Sequence, residues 1–164
     1  MRADERQTLI DQYRGGYDAV VAALDGATAA DLDARPAPDE WTAREVVHHL
    51  ADAETMASTR LRRLLAEDDA VIQAYDENQF ARTLHYDRPL DASLAVIKAV
   101  RDANVDLLAH LDDASWGRVG THTESGAYGV ETWLEIYAAH PYDHADQIRK
   151  ASQAPRSVGN FGAM

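Results

Sequence analysis

Val130-Glu131-Thr132-Trp133-Leu134-Glu135-Ile136-Tyr137-Ala138-Ala139-His140-Pro141-Tyr142-Asp143-His144-Ala145-Asp146-Gln147-Ile148 is the stretch from which the fold is read. Val130, Trp133, Leu134, Tyr137, His140, His144 and Ile148 recur at steps of three and four, the signature of one inward helical stripe. A helix turns about 100° per residue, so positions i and i+4 lie one above the other. His140 and His144 therefore stand together on the face that carries the core. Two imidazoles so placed grip one divalent metal if a third ligand arrives from elsewhere. Pro141 sits between them, cannot donate the helical hydrogen bond and pushes on the preceding turn. A kink there preserves the alignment and a break destroys it. The stripe continues to Ile148, which favours the kink.

The same periodicity occurs three more times. Residues from about 4 to 25 place Leu9, Tyr13, Tyr17, Val20 and Leu24 on one side, with a Gly15-Gly16 pair that marks a bend or a close helix contact. Pro36 and Pro38 stiffen the connector that follows, and Thr42 with Glu45 has the capping-box spacing that opens a second helix, running to about Ala66. Its stripe is Val46, His49, Leu50, Ala53, Met56, Ala57, Leu61 and Leu64, with His48 turned to the flank. A third helix fits Pro89 to Leu111, with Leu90, Leu94, Ile97, Val100, Asn104, Leu107 and Leu111 inward. Between them lie a polar segment from Glu67 to Arg88, long enough to cover a pocket, and a connection from Asp112 to Gly129. Four helices with long crossover connections predict an all-α four-helix bundle, without strands, forming one domain over residues 1–150. The tail from Ala151 to Met164 is small and polar and is expected to be loosely ordered.

Composition removes several function classes. The formal net charge of −12 leaves no basic face to displace counterions, so neither nucleic acid nor an anionic membrane is an expected partner. No apolar run approaches the roughly 18 residues that span a bilayer. The opening Met1-Arg2-Ala3-Asp4-Glu5-Arg6 has no signal-peptide core, and a cytoplasmic protein is expected. There is no cysteine, hence no disulfide, no thiolate ligand and no thiol nucleophile of the chain's own.

His49, His140 and His144 are the predicted metal ligands. Burying their nitrogens is costly without partners, and one divalent ion satisfies all three. Three protein ligands leave coordination positions open, as catalytic zinc sites do; nickel or iron also accepts three imidazoles. The residue after His140 is proline, not glutamate, so the zinc-protease motif His-Glu-x-x-His is absent. Asp52, one turn after His49, and Asp143, beside His144, are candidates to orient an imidazole or act as a base. Arg60 either meets an acidic substrate group or snorkels to solvent. His85 and His110 read as surface residues.

Trp41-Thr42-Ala43-Arg44-Glu45-Val46-Val47-His48-His49-Leu50-Ala51-Asp52-Ala53-Glu54 resembles the second-helix signature of the DinB-like superfamily. Tyr75-Asp76-Glu77, His122-Thr123-Glu124-Ser125-Gly126 and Trp133 to His140 with His144 and Gln147-Ile148 resemble its bacillithiol-transferase branch. The similarity covers residues from about 5 to 150. It implies a four-helix bundle, often dimeric, with a metal on three histidines, which map onto His49, His140 and His144 and exclude His48. Arg60, Tyr137 and His122 become the substrate-binding candidates, His122 equally serving to cap its own loop.

The expected function is a metal-dependent transferase joining a low-molecular-weight thiol to an electrophilic small molecule. The cation lowers the thiol pKa, and the thiol comes as cosubstrate because the chain has none. Zinc is the first choice of metal. Two alternatives stand beside this reading: a metal-dependent hydrolase of small amides or esters, and a non-catalytic, stress-associated metal-binding protein. A homodimer is expected.

Overall fold

The computed structural model describes residues 1–154. Four long helices make the body: α1 (Ala3–Leu24), α3 (Ala43–Ala66), α5 (Asp91–Leu108) and α7 (Val130–Ser152). Short helices α2 (Ala29–Leu32), α4 (Glu77–Thr83) and α6 (Asp113–Trp116) lie in the connections. Around the bundle the order is α1, α7, α3, α5, each packed against the next and α5 closing on α1. Consecutive helices α1 and α3 are therefore diagonal, as are α5 and α7. That arrangement requires the long crossovers at 25–42 and 109–129. The result is the expected all-α bundle.

Local chemistry starts the helices where the sequence places them. Thr42 Oγ1 accepts from the Glu45 amide at 3.2 Å while Glu45 Oε2 accepts from the Thr42 amide at 2.8 Å. This reciprocal pair satisfies two donors that helix geometry leaves free. α7 runs unbroken through Pro141, so the alternative of a helix break is excluded. It also extends to Ser152, with Ala151 buried, two residues into the predicted tail; the tail from 155 onward lies outside the described residues.

The expectation of no strands is corrected. β1 (Val71–Ile72) pairs in parallel with β2 (Val119–His122), and β2 pairs antiparallel with β3 (Gly126–Gly129). At two to four residues, with glycines at 120, 126 and 129, these strands are too short for a period-two pattern to register. The sheet ties the segment after α3 to the loop before α7, and both border the same pocket. A Cβ at Gly120 would collide with the Ala70 carbonyl, which is how β1 and β2 come close enough to pair.

The helical core contains charge. Arg101 of α5 and Glu54 of α3 are essentially inaccessible and form an ion pair. The Arg101 guanidinium donates from Nε and Nη2 to the Tyr13 carbonyl of α1, at 2.8 and 2.5 Å, and from Nη2 to the Tyr137 carbonyl of α7 at 3.2 Å. Glu54 also accepts from the Tyr13 hydroxyl at 2.9 Å, and Asn104 Nδ2 donates to that hydroxyl at 3.0 Å. Burial raises the Glu54 carboxyl, opposed by Arg101 and the Tyr13 hydroxyl.

The Gly15-Gly16 pair is a close helix contact. A Cβ on Gly16 would run into the Pro141 ring and the Arg101 guanidinium, and one on Gly15 would lie 2.8 Å from the Tyr142 hydroxyl. Gly16→Ala is therefore expected to destabilise the fold, by about 1–3 kcal/mol of overpacking offset by under about 1 kcal/mol of helix propensity. Urea unfolding of the variant checks this, and an unchanged or raised midpoint contradicts it.

Candidate metal centre

His49 comes from the first half of α3, and His140 and His144 from successive turns of α7, which packs on α3. One nitrogen of each ring lies within 4.8 Å of the others, and this is the one such cluster of three found among the described residues. The ring centroids are 5.5 Å apart for His49 and His140, 4.8 Å for His49 and His144, and 4.4 Å for the α7 pair. Two zinc–nitrogen bonds at a tetrahedral angle hold their nitrogens about 3.4 Å apart, so the cluster is open and its widest pair closes by roughly an ångström or more around an ion.

The hydrogen bonding points the same way. His144 Nδ1 lies 2.7 Å from Gln147 Oε1, an acceptor, which assigns the proton to Nδ1 and leaves the lone pair on Nε2. That Nε2 is 3.0 Å from His140 Nε2. Without a metal, His140 Nε2–H donates to the His144 lone pair; with one, both nitrogens face the cation. His49 Nε2 is buried with no hydrogen-bond partner among the described residues, an expensive condition that a metal relieves. The indole of Trp41 covers the His49 ring at 4.8 Å. The donor set thus fits a divalent metal.

Electrostatics keeps the imidazoles neutral, as ligation requires. Burial pushes His49 down to about 3, with a smaller push from His144. His140 is also pushed to about 3, by burial first and then by His144, His49 and Arg101. His144 is lowered by burial, against the opposing pull of Gln147, Glu77 and Asp143.

A pocket of about 280 Å³ opens beside His140, lined by Arg60, Tyr75, Glu77, His122, Glu124 and Tyr137 together with small apolar groups. Arg60 donates to the Tyr137 hydroxyl at 3.0 Å and to the Gln73 carbonyl at 2.9 Å, and its guanidinium faces the Tyr75 ring. The three substrate-binding candidates, Arg60, Tyr137 and His122, are therefore all in one wall. His122 lines the pocket and also caps its own loop, Nδ1 accepting from the Glu124 and Ser125 amides at 3.3 Å. The segment after Glu67 does border the pocket, through Tyr75 and Glu77.

Two expectations change. Asp52 does not bond to a histidine; it accepts from the Tyr86 hydroxyl at 2.6 Å and anchors the segment before α5. Its position one turn after His49 is right for a partner, but the ring it faces is that of a different residue. His48 is not on the flank. It is fully buried, with Nδ1 2.8 Å from Ser93 Oγ and Nε2 2.9 Å from the Arg88 carbonyl. Its exclusion from the cluster stands, because both nitrogens are occupied.

Gln147, Glu77 and the Arg101–Glu54 pair went unread in the sequence as site residues. Gln147 is one turn after His144, where an amide reaches back to the ring. Glu54 and Arg101 each stand on an apolar stripe, between Leu50 and Ala57 and between Ile97 and Leu108. Opposite charges on two inner stripes are the signal of a buried pair.

A bundle whose facing helices supply three convergent imidazoles beside a polar pocket defines the class: a four-helix-bundle protein built around a candidate metal centre. The chain belongs to the DinB superfamily, whose pattern matches residues 12–148. It is 36% identical over 108 residues to a protein of Oceanobacillus iheyensis named "Putative metal-dependent hydrolase", covering 66% of this chain and 63% of that one. A Bacillus mycoides protein of the same name is 30% identical over 108 residues, 66% of this chain and 62% of that one. The match thus spans under two thirds of these relatives' length. Among solved structures, YfiT from Bacillus subtilis, described as "a probable metal-dependent hydrolase with an unusual four-helix bundle topology", superposes with a TM-score of 0.86 at 25% identity, over 93% of this chain and 88% of that one.

The lowered histidines set a pH dependence for the metal-free protein. Below the ordinary value of 6.5, unfolded imidazoles take up protons that His49 and His140 refuse until about 3, so stability falls as pH drops through that window. At pH 5 the loss is expected to be roughly 2 kcal/mol per histidine. Urea midpoints at pH 7.5 and pH 5 measure it, and His49→Ala is expected to shrink the difference.

Proposed function

We propose that this chain is a metal-dependent transferase in which His49, His140 and His144 hold a divalent cation, zinc first, and a low-molecular-weight thiol is joined to an electrophilic small molecule. The observation that carries the reading is the meeting of three imidazoles, His49 buried and His140 and His144 half-buried, beside a pocket that small molecules can enter. Nickel or iron is compatible with the same donors.

The cation, when bound, supplies Lewis acidity that makes a thiol or a water nucleophilic at neutral pH. The chain's own residues do the rest. Gln147 holds His144 in the ligating tautomer. Arg60, fixed by Tyr137 and Gln73, presents positive charge to an anionic substrate group. Glu77, in the same pocket and electrostatically felt at His144, takes the proton of the incoming S–H. A carbon–sulfur bond then forms as the carbon–leaving-group bond breaks, and the leaving group departs with that proton. The absence of cysteine from all 164 residues makes the thiol a cosubstrate.

Hydrolysis is the second reading, favoured by the names of the relatives, with water in the thiol's place and the same residues in the same roles. The resemblance to the DinB-like superfamily extends the proposal to a homodimer, and a cytoplasmic location is proposed beside it. No helix of the described residues is long and apolar enough to cross a membrane.

The test is consumption of a chlorodinitrobenzene-type electrophile and of a nitrophenyl ester, each with and without added thiol, by zinc-loaded protein. Thiol-dependent loss of the electrophile that disappears in the His49→Ala/His140→Ala/His144→Ala variant is expected. Loss that survives the triple substitution overturns the mechanism. Thiol-independent ester cleavage that requires the histidines transfers the assignment to hydrolysis, and metal binding with neither activity leaves a binding protein.

A further inference from the structure

Pro141 lacks an N–H, so the carbonyl four residues earlier, that of Tyr137, has no helical donor. Tyr137 is 5% exposed, so water is a poor substitute there. Arg101 Nη2 reaches that oxygen at 3.2 Å from α5. The remaining donors of the same planar group hold Glu54 on α3 and the Tyr13 carbonyl on α1. Gly16, without a side chain, leaves room for both the proline ring and the guanidinium.

We propose that Arg101 is a positioning residue for the metal centre, replacing the N–H that Pro141 removes and so fixing the turn of α7 that carries His140. The inference rests on the three-histidine reading. Its geometry is specific. Tyr137 precedes His140 by three residues, Glu54 follows His49 by five, and one rigid fork bridges the two. The guanidinium thus spans the helices that supply all three ligands without touching any ligand. An ordinary helical bond at residue 141 would bind Tyr137 to its own helix; the proline releases that oxygen to be held from α5. The carbonyl three residues before His140 is then held by a side chain of α5 rather than by α7 itself.

The test is a double-substitution cycle on the full chain, reading zinc affinity by competition with a chromophoric chelator. Arg101→Lys keeps the charge for Glu54, but a single ammonium cannot reproduce the fork. It is expected to weaken zinc binding about 10-fold, the lower end of what loss of a ligand-orienting contact costs. Pro141→Ala restores the N–H; added to Arg101→Lys it is expected to bring the affinity back to within about 3-fold of the parent, while alone it changes little. Equal effects of Pro141→Ala in both backgrounds, or an Arg101→Lys chain with lowered thermal midpoint and unchanged zinc affinity, overturn the proposal and leave Arg101 a structural residue. Should Arg101→Lys not fold, the neutral pair Glu54→Gln with Arg101→Gln, with and without Pro141→Ala, completes the same cycle. A parent chain that binds no zinc overturns the metal reading itself, and with it the positioning role; non-additive urea midpoints for Arg101→Lys and Pro141→Ala in the metal-free chain still report the Arg101–Tyr137 contact separately.

Discussion

One buried guanidinium touches all four long helices of this bundle. Arg101 belongs to α5, pairs with Glu54 of α3, and donates to backbone carbonyls of α1 and α7. Taking two charges out of water is expensive, and a buried pair is a weak source of net stability compared with an apolar core. Breaking one is a different matter, because the surviving charge is left without a partner, at a cost of about 3–5 kcal/mol. The pair therefore acts less as glue than as a constraint: helices in any other register strand a charge or a carbonyl. Gly16 and Pro141 fit around the same group, so the glycine approach of α1 and the missing helical donor of α7 meet at one side chain.

The candidate metal centre is built on the same constraint. The three imidazoles sit on the two helices the guanidinium bridges, in surroundings that suppress their protonation. The polar wall beside them is assembled from parts far apart in the chain: Arg60 from α3, Tyr75 and Glu77 from the segment before α5, His122 from β2 and Tyr137 from α7. The small sheet makes that assembly possible. It fastens the chain after α3 to the hairpin that leads into α7, bringing Thr123 to the Ala74 amide at 2.9 Å. Without it the pocket would have only its helical side.

Much of this was legible in the sequence, for identifiable reasons. Helix positions follow from the three-and-four spacing of large apolar groups, and the Thr42–Glu45 cap fixed one boundary to within a residue. The convergence of His49, His140 and His144 was legible because side chains that meet between helices obey the same periodicity as core residues. The strands were not, since two paired residues at 71 and 72 carry no period. Asp52 and His48 were misplaced because a stripe gives a direction to a side chain but not its partner: Tyr86, Ser93 and the Arg88 carbonyl all come from sequence more than thirty residues away. The Arg101–Glu54 pair was hidden for the same reason, each half looking like an ordinary charge until the other helix is brought beside it.

The central claim is that three histidines from two helices bind one metal. Elemental analysis of the purified protein tests it most directly. About one divalent metal per chain is expected, lost in His49→Ala and in His144→Ala while the circular dichroism of the bundle is retained. Metal at the same stoichiometry in both variants, or none in the parent after zinc loading, would contradict it.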